Sequence, residues 1–159
     1  MRMSQAVADL TDCKYIDRYI EMVRNDVPKP YCEWQHKLCD FIEKTFDNED
    51  IYVDEDQLER YLAFQKYFPY TLLPWELFVF TLHMCTYTAD GDLRFPYLFL
   101  NVGRGAGKNG FLSFVDFCLL TPVHGVREYD VYMHPFRPTH APMHHLWKSI
   151  TRLPAKDRL

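Results

Sequence analysis

The amino-acid sequence predicts an α/β fold: a helical N-terminal lead-in at residues 1–70, then the beginning of a parallel sheet at 71–131, with an atypical Pro- and His-rich tail at 132–159. Three observations predict it. Amphipathic helical stripes fill the chain before residue 70. A short, nearly continuous apolar run stands at 95–102. A glycine-rich turn joins that run to a second apolar run at 111–120, long enough for a buried helix. Strand, turn and helix in that order open a strand–helix–strand crossover, and such crossovers build parallel sheets.

Over residues 14–24, Tyr15, Ile16, Tyr19, Ile20 and Val23 recur at helical spacing, and Thr11 or Asp12 is placed to cap the helix. Pro28 and Pro30 break the pattern. A second helix is expected over 31–46, with Trp34, Leu38, Phe41, Ile42 and Thr45 on one side, and the acidic residues 47–50 read as a solvated turn. A third fits 54–67, where Leu58, Tyr61, Leu62 and Gln65 share a face, Asp54 caps and Pro69 closes. Pro74 opens a fourth helical run over 76–86, because proline is favoured in a first helical turn. Ala89-Asp90-Gly91-Asp92 is a turn. Residues 95–102 read as a buried strand with Pro96 at its edge. After the glycine-rich residues 103–110 the helix at 111–120 is ended by Thr121, Pro122 and Gly125. Residues 127–132 are expected to form a second strand, and 143–153 the one short helix of the tail.

With 159 residues the chain is long enough for one core, and 48% apolar with 16% aromatic residues excludes a disordered tail. A net charge of -4 gives no overall electrostatic footprint for nucleic acid, which leaves only a local basic patch for that purpose. The five cysteines, Cys13, Cys32, Cys39, Cys85 and Cys118, are odd in number and contain no C-x-x-C pair. That argues against a disulfide scaffold and against a structural zinc site, and leads us to expect reduced thiols in the cytosol. No stretch reaches the roughly 18 apolar residues of a membrane span, and the N-terminus lacks a continuous apolar signal segment, so a soluble cytoplasmic protein without a membrane partner is expected.

The chemistry concentrates in one place. Four of the six glycines fall within the eight residues Gly103-Arg104-Gly105-Ala106-Gly107-Lys108-Asn109-Gly110, with a lysine at the mouth of the following helix. A phosphate group needs closely approaching backbone N–H groups, the positive end of a helix and a point charge. Gly103, Gly105 and Gly107 with Lys108 offer all three. The P-loop pattern G-x-x-x-x-G-K-[ST] is met at Gly107-Lys108; Val102 stands at its first glycine and Asn109 at its hydroxyl position. Magnesium prefers hard oxygen ligands, and an amide oxygen at Asn109 is a weaker one than usual.

Leu73-Pro74-Trp75-Glu76, then Leu93-Arg94-Phe95, then Val102 through Gly110, in that order and spacing, resemble the large subunit of tailed-bacteriophage terminases, the ATP-driven motor of DNA packaging. In that family the P-loop is a deviant one that lacks its first glycine and carries an arginine near the position of Arg104. The resemblance implies the start of a P-loop NTPase parallel sheet, in which Gly103, Gly105, Ala106, Gly107, Lys108 and Asn109 hold ATP and Mg2+. It implies also that Arg104 and Lys108 act on the γ-phosphate. The family's upstream motif contacts the nucleotide base, and Trp75 and Glu76 occupy its place; a glutamate there accepts hydrogen bonds and donates none when ionised. Double-stranded DNA, a portal and a small terminase subunit are the implied partners of the whole family protein, in the host cytoplasm.

The resemblance covers about residues 52–131. No apolar run after residue 131 ends in paired carboxylates, so a Walker B carboxylate, the coupling motif and the nuclease domain of the family are missing from the sequence, and nucleotide binding without turnover is expected. The tail holds His134, His140, His144 and His145 among prolines, without the paired ligands of a metal site, and reads as a frameshifted or truncated frame. Asp54, Glu55, Asp56 and Glu59 read as a solvated helix start rather than a metal centre. Tyr61, Phe64, Tyr67, Phe68 and Tyr70 read as core rather than a base-stacking platform. Two alternative readings are a non-enzymatic helical interaction module, in which the glycine loop is only a connector, and an unrelated P-loop kinase or other NTPase.

Overall fold

Residues 11–125 are described by a computed structural model of the protein. They are helix-rich, with one small two-stranded antiparallel sheet, so the fold is α/β only in a loose sense. The described residues divide into two units, the first built from 11–55 with 73–98, the second from 56–72 with 99–125. The expected strand at 127–132, the short helix at 143–153, and the tail with its four histidines lie outside the described residues.

In the first unit, α1 (Lys14–Arg24) buries Ile16, Tyr19, Ile20 and Val23, four of the five residues of the stripe its periodicity announces, and leaves Tyr15 half-buried. Neither Thr11 nor Asp12 caps it. Cys13 holds the cap position, and the Thr11 hydroxyl donates instead to the Asp17 carboxylate at 2.7 Å. A hydroxyl two residues ahead of the cap position lies too early in the chain to reach the first free N–H groups. Following it, α2 (Glu33–Asn48) starts two residues later than the sequence suggests, where the Gln35 side-chain oxygen accepts the Cys32 N–H at 3.0 Å. Gln35 also donates to the Tyr19 hydroxyl at 3.0 Å, and the Arg24 guanidinium donates to Asp40 at 2.6 Å and to Glu43; these bonds join α1 to α2. That guanidinium holds the Asp40 carboxyl below the usual carboxylate range.

The fourth expected helix is α4 (Pro74–Cys85), with its proline in the first turn as position-specific preference dictates. Phe78, Phe80, Thr81, Leu82, Met84 and Cys85 are buried all around it, so it is the central helix of its unit. The Tyr19 ring of α1 lies on Phe78, centroids 4.5 Å apart. Two strands unforeseen in the sequence complete the unit. β1 (Ile51–Val53) pairs antiparallel with β2 (Thr86–Thr88) in the register Ile51 to Thr88, Tyr52 to Tyr87 and Val53 to Thr86. The turn at 89–92 is present: Gly91 takes φ 86° and its N–H reaches the Thr88 carbonyl. Beyond it, the Arg94 guanidinium grips both oxygens of the Glu49 carboxylate, one of them at 2.8 Å.

In the second unit, the expected helix at 54–67 is realised as α3 (Glu55–Leu62) followed by a tighter 3-10 turn at Ala63–Tyr67. The last helix, α5 (Lys108–Leu119), buries Phe111, Ser113, Phe114, Val115, Phe117 and Cys118. Of the aromatic run 64–70, Phe68 is buried, and Phe64, Tyr67 and Tyr70 are half-buried. Phe64 meets Phe117 edge-on at 5.4 Å, and Phe68 meets Phe114 at 5.3 Å and Phe117 at 5.5 Å. Edge-to-face pairs of this kind contribute about 0.5–1.5 kcal/mol beyond the area they bury.

The buried strand expected at 95–102 is not formed. Among the described residues nothing pairs with it, and Tyr97 and Phe99 are each 93% exposed. Continuous apolar sequence fits a central strand only where neighbours supply ladder partners on both edges. The pairing that is present goes elsewhere, from β2 to β1 and from Tyr87 to Leu93. No parallel sheet exists among the described residues.

Candidate phosphate-binding loop

The loop ahead of α5 curls where glycines permit it. Gly105 has φ 82° and Gly107, the N-cap of α5, has φ 86°; both lie in the left-handed region where a Cβ costs energy. Between them the chain turns back on itself, and the Ala106 N–H donates to the Gly103 carbonyl at 3.4 Å. The Lys108 ammonium folds over the same turn and donates to that same carbonyl at 3.4 Å. Backbone and lysine thus converge on one oxygen at the mouth of α5. The first-turn N–H groups of α5 precede its first internal bond, from the Phe111 N–H to the Gly107 carbonyl at 3.0 Å.

Space is open in front of this turn. A Cβ built on Gly103 or Gly105 would meet no atom within 4 Å. Gly103, Arg104, Gly105, Gly107 and Asn109 are exposed, and Ala106 and Lys108 half-buried, so six of the residues singled out in the sequence share one accessible turn with Arg104. The arrangement suits an anion: glycine backbone that admits close approach, helix amides and a mobile cation. For magnesium the fit is narrower. Among the described residues no three His, Cys, Asp or Glu side chains gather as a metal centre. The Asn109 amide oxygen is the hard ligand the loop itself offers, and the remaining positions of an octahedral ion belong to phosphate oxygens and water.

Trp75 and Glu76 belong to the first unit, in the first turn of α4. Trp75 is half-buried. Glu76 is only 4% exposed, and one carboxylate oxygen accepts the Leu73 N–H at 2.7 Å, so it caps its own helix. Burial pushes the Glu76 carboxyl up, and that backbone bond opposes the rise.

Sequence reasoning missed one residue beside the loop. The Tyr70 hydroxyl donates to the Gly110 carbonyl at 2.9 Å, and a Cβ at position 110 would stand 3.2 Å from the Tyr70 ring. Gly110 therefore allows the first turn of α5 to seat against Tyr70. The one signal for it was a glycine inside a helix, where it is disfavoured unless something approaches closely.

Asp116, on α5, has one carboxylate oxygen that is buried without a hydrogen-bond partner, and burial raises its carboxyl above the usual range. A raised acid binds more protons folded than unfolded, so its contribution to stability is present below the ordinary aspartate pKa and is lost as pH rises through the folded value. Asp116→Asn removes the charge and is expected to gain about 1 kcal/mol at pH 7 over the natural chain. The gap should close on acidification towards about pH 4, as read from urea midpoints; equal midpoints at both pH values would contradict it.

None of the five cysteines is in a disulfide and four of them are buried; burial pushes the Cys39 thiol up to about 11, which keeps it protonated. No helix among the described residues is long and apolar enough to cross a membrane. Comparison of the chain with protein-family models, with curated proteins and with solved structures gave no match.

Proposed function

We propose that the loop 103–109 binds the phosphate chain of a nucleotide, and that the chain is the nucleotide-binding part of a phage terminase large subunit. One observation carries the reading: the Ala106 N–H and the Lys108 ammonium converge on the Gly103 carbonyl at the mouth of α5. A lysine folded over a glycine turn is positioned to exchange that weak carbonyl bond for a phosphate oxygen, a charge-assisted bond roughly twice as strong. In this reading Gly103, Gly105, Ala106, Gly107 and Lys108 cradle ATP, Asn109 ligates Mg2+, and Arg104 stabilises charge on the γ-phosphate. Bound magnesium would neutralise phosphate charge and orient the chain. DNA, portal and small subunit are partners of the packaging motor as a whole.

The test is an isothermal titration of the chain with ATP, ADP, AMP and tripolyphosphate, each with and without Mg2+. Affinity is expected to rise with the number of phosphates and to persist for tripolyphosphate. Equal or absent binding of all four ligands would sink the assignment. That outcome would favour a second reading, a helical interaction module whose glycine turn is a connector. The unpaired segment 95–102, where a P-loop fold needs a paired strand, is what favours it.

A further inference from the structure

An apolar face of α2 is left open by its own unit. Cys39, Ile42 and Thr45 are buried, whereas Trp34, Leu38 and Phe41 are 76%, 40% and 51% exposed. Spacings of four and three residues put these three side chains on one stripe of the helix. Single exposed apolar residues are ordinary, but a contiguous Trp, Leu and Phe stripe marks a surface that meets something. Lys37 lies 4.8 Å from the centre of the Trp34 ring and keeps the indole oriented without covering it.

Charge beside the stripe identifies the occupant. The flank next to it carries Glu33 and Lys37 at the N-terminal end of α2, and Asp40 and Lys44 further along it. A second α2 laid antiparallel, on a two-fold axis at Leu38, sets Trp34 against Phe41 of the other copy, and Leu38 against Leu38. The same rotation sets Glu33 beside the other copy's Lys44, and does so twice. Lys44 has no ion pair among the described residues, and Glu33, with a side chain 77% exposed, holds only Lys37 of its own helix. Asp40 and Glu43 are ion-paired with Arg24.

We infer that two copies of this chain associate through α2 as a two-fold, antiparallel helix pair centred on Leu38. Three apolar residues from each helix bury less than the roughly 1,200 Å² of a standard stable interface, so the dimer is weak, with a dissociation constant in about the micromolar range or above. The association does not depend on the phosphate loop.

Sedimentation velocity of the full chain, from about 5 μM to a few hundred μM, tests it. The sedimentation coefficient is expected to rise with concentration. Leu38→Glu places a charge at the axis of the stripe and should raise the dissociation constant at least roughly tenfold, with helix content unchanged by circular dichroism since Leu38 is already partly exposed. Lys44→Glu should weaken the dimer about fivefold at low salt, and Glu33→Lys combined with Lys44→Glu should restore it. A chain that stays monomeric throughout, or associates equally well with Leu38→Glu, overturns the proposal. So does a double charge reversal no better than Lys44→Glu alone, because the antiparallel register requires the rescue.

Discussion

Lys108→Ala is expected to lower the affinity of the chain for ATP by roughly ten- to a hundredfold, with its folding stability unchanged. The size follows from the bond lost: a charge-assisted contact from ammonium to phosphate contributes about 1.5–3 kcal/mol. Stability should hold because Lys108 is the first residue of α5, where alanine is the better helix former, and its one described bond is a long 3.4 Å contact to Gly103. Lys108→Arg should not recover the full affinity. A planar fork on a longer stem does not place its donors where a compact ammonium stands. Calorimetric titration with MgATP at fixed ionic strength reads both variants, since a surface-exposed charge contact weakens as salt is added. An alanine variant that binds ATP as the natural chain does would remove the lysine from the site. A variant that also loses urea resistance would show that the lysine was holding the loop rather than waiting for a ligand.

The parts of this fold legible in the sequence are those that a local rule determines. The helix at 14–24 emerges at its expected bounds because Ile16, Tyr19, Ile20 and Val23 repeat at helical spacing and all four are buried. Gly105 and Gly107 were legible as a loop because no other residue adopts their φ of 82° and 86° cheaply. What escaped depends on partners far along the chain. Ile51–Val53 and Thr86–Thr88 are three residues each, too short for any periodicity to declare, and each is a strand only because the other exists. Residues 95–102 have the composition of a buried strand, yet composition does not supply the neighbour that would pair with it. On α2 the helical spacing grouped Trp34, Leu38 and Phe41 with Ile42 and Thr45, and burial divides that group in two. Spacing says which residues share a side, and only packing says which side faces inward. The bond from Tyr70 to Gly110 joins residues forty apart, beyond the reach of any motif.

Phe114→Ala should be the most damaging single core change near the loop, costing about 3–5 kcal/mol. Phe114 is fully buried on α5 and meets the Phe68 ring edge-on at 5.3 Å. The change therefore removes both the transfer energy of a whole ring and the quadrupolar contact, and leaves a cavity between α5 and the aromatic run before it. Against a total stability of about 5–15 kcal/mol for a domain, such a loss is a large fraction. Urea unfolding followed by far-ultraviolet circular dichroism measures it, and a cost under about 1 kcal/mol would mean that α5 is not anchored through this ring. Phe114→Leu, which keeps most of the volume, should cost less than half as much. The pair also separates anchoring from chemistry. Phe114 sits two turns beyond the loop, so if α5 must be fixed for its first-turn amides to face an anion, ATP affinity should track stability through the series from phenylalanine to leucine to alanine. Lys108→Ala should instead lose affinity at constant stability, and a single plot of affinity against urea midpoint distinguishes a residue that holds the helix from one that holds the ligand.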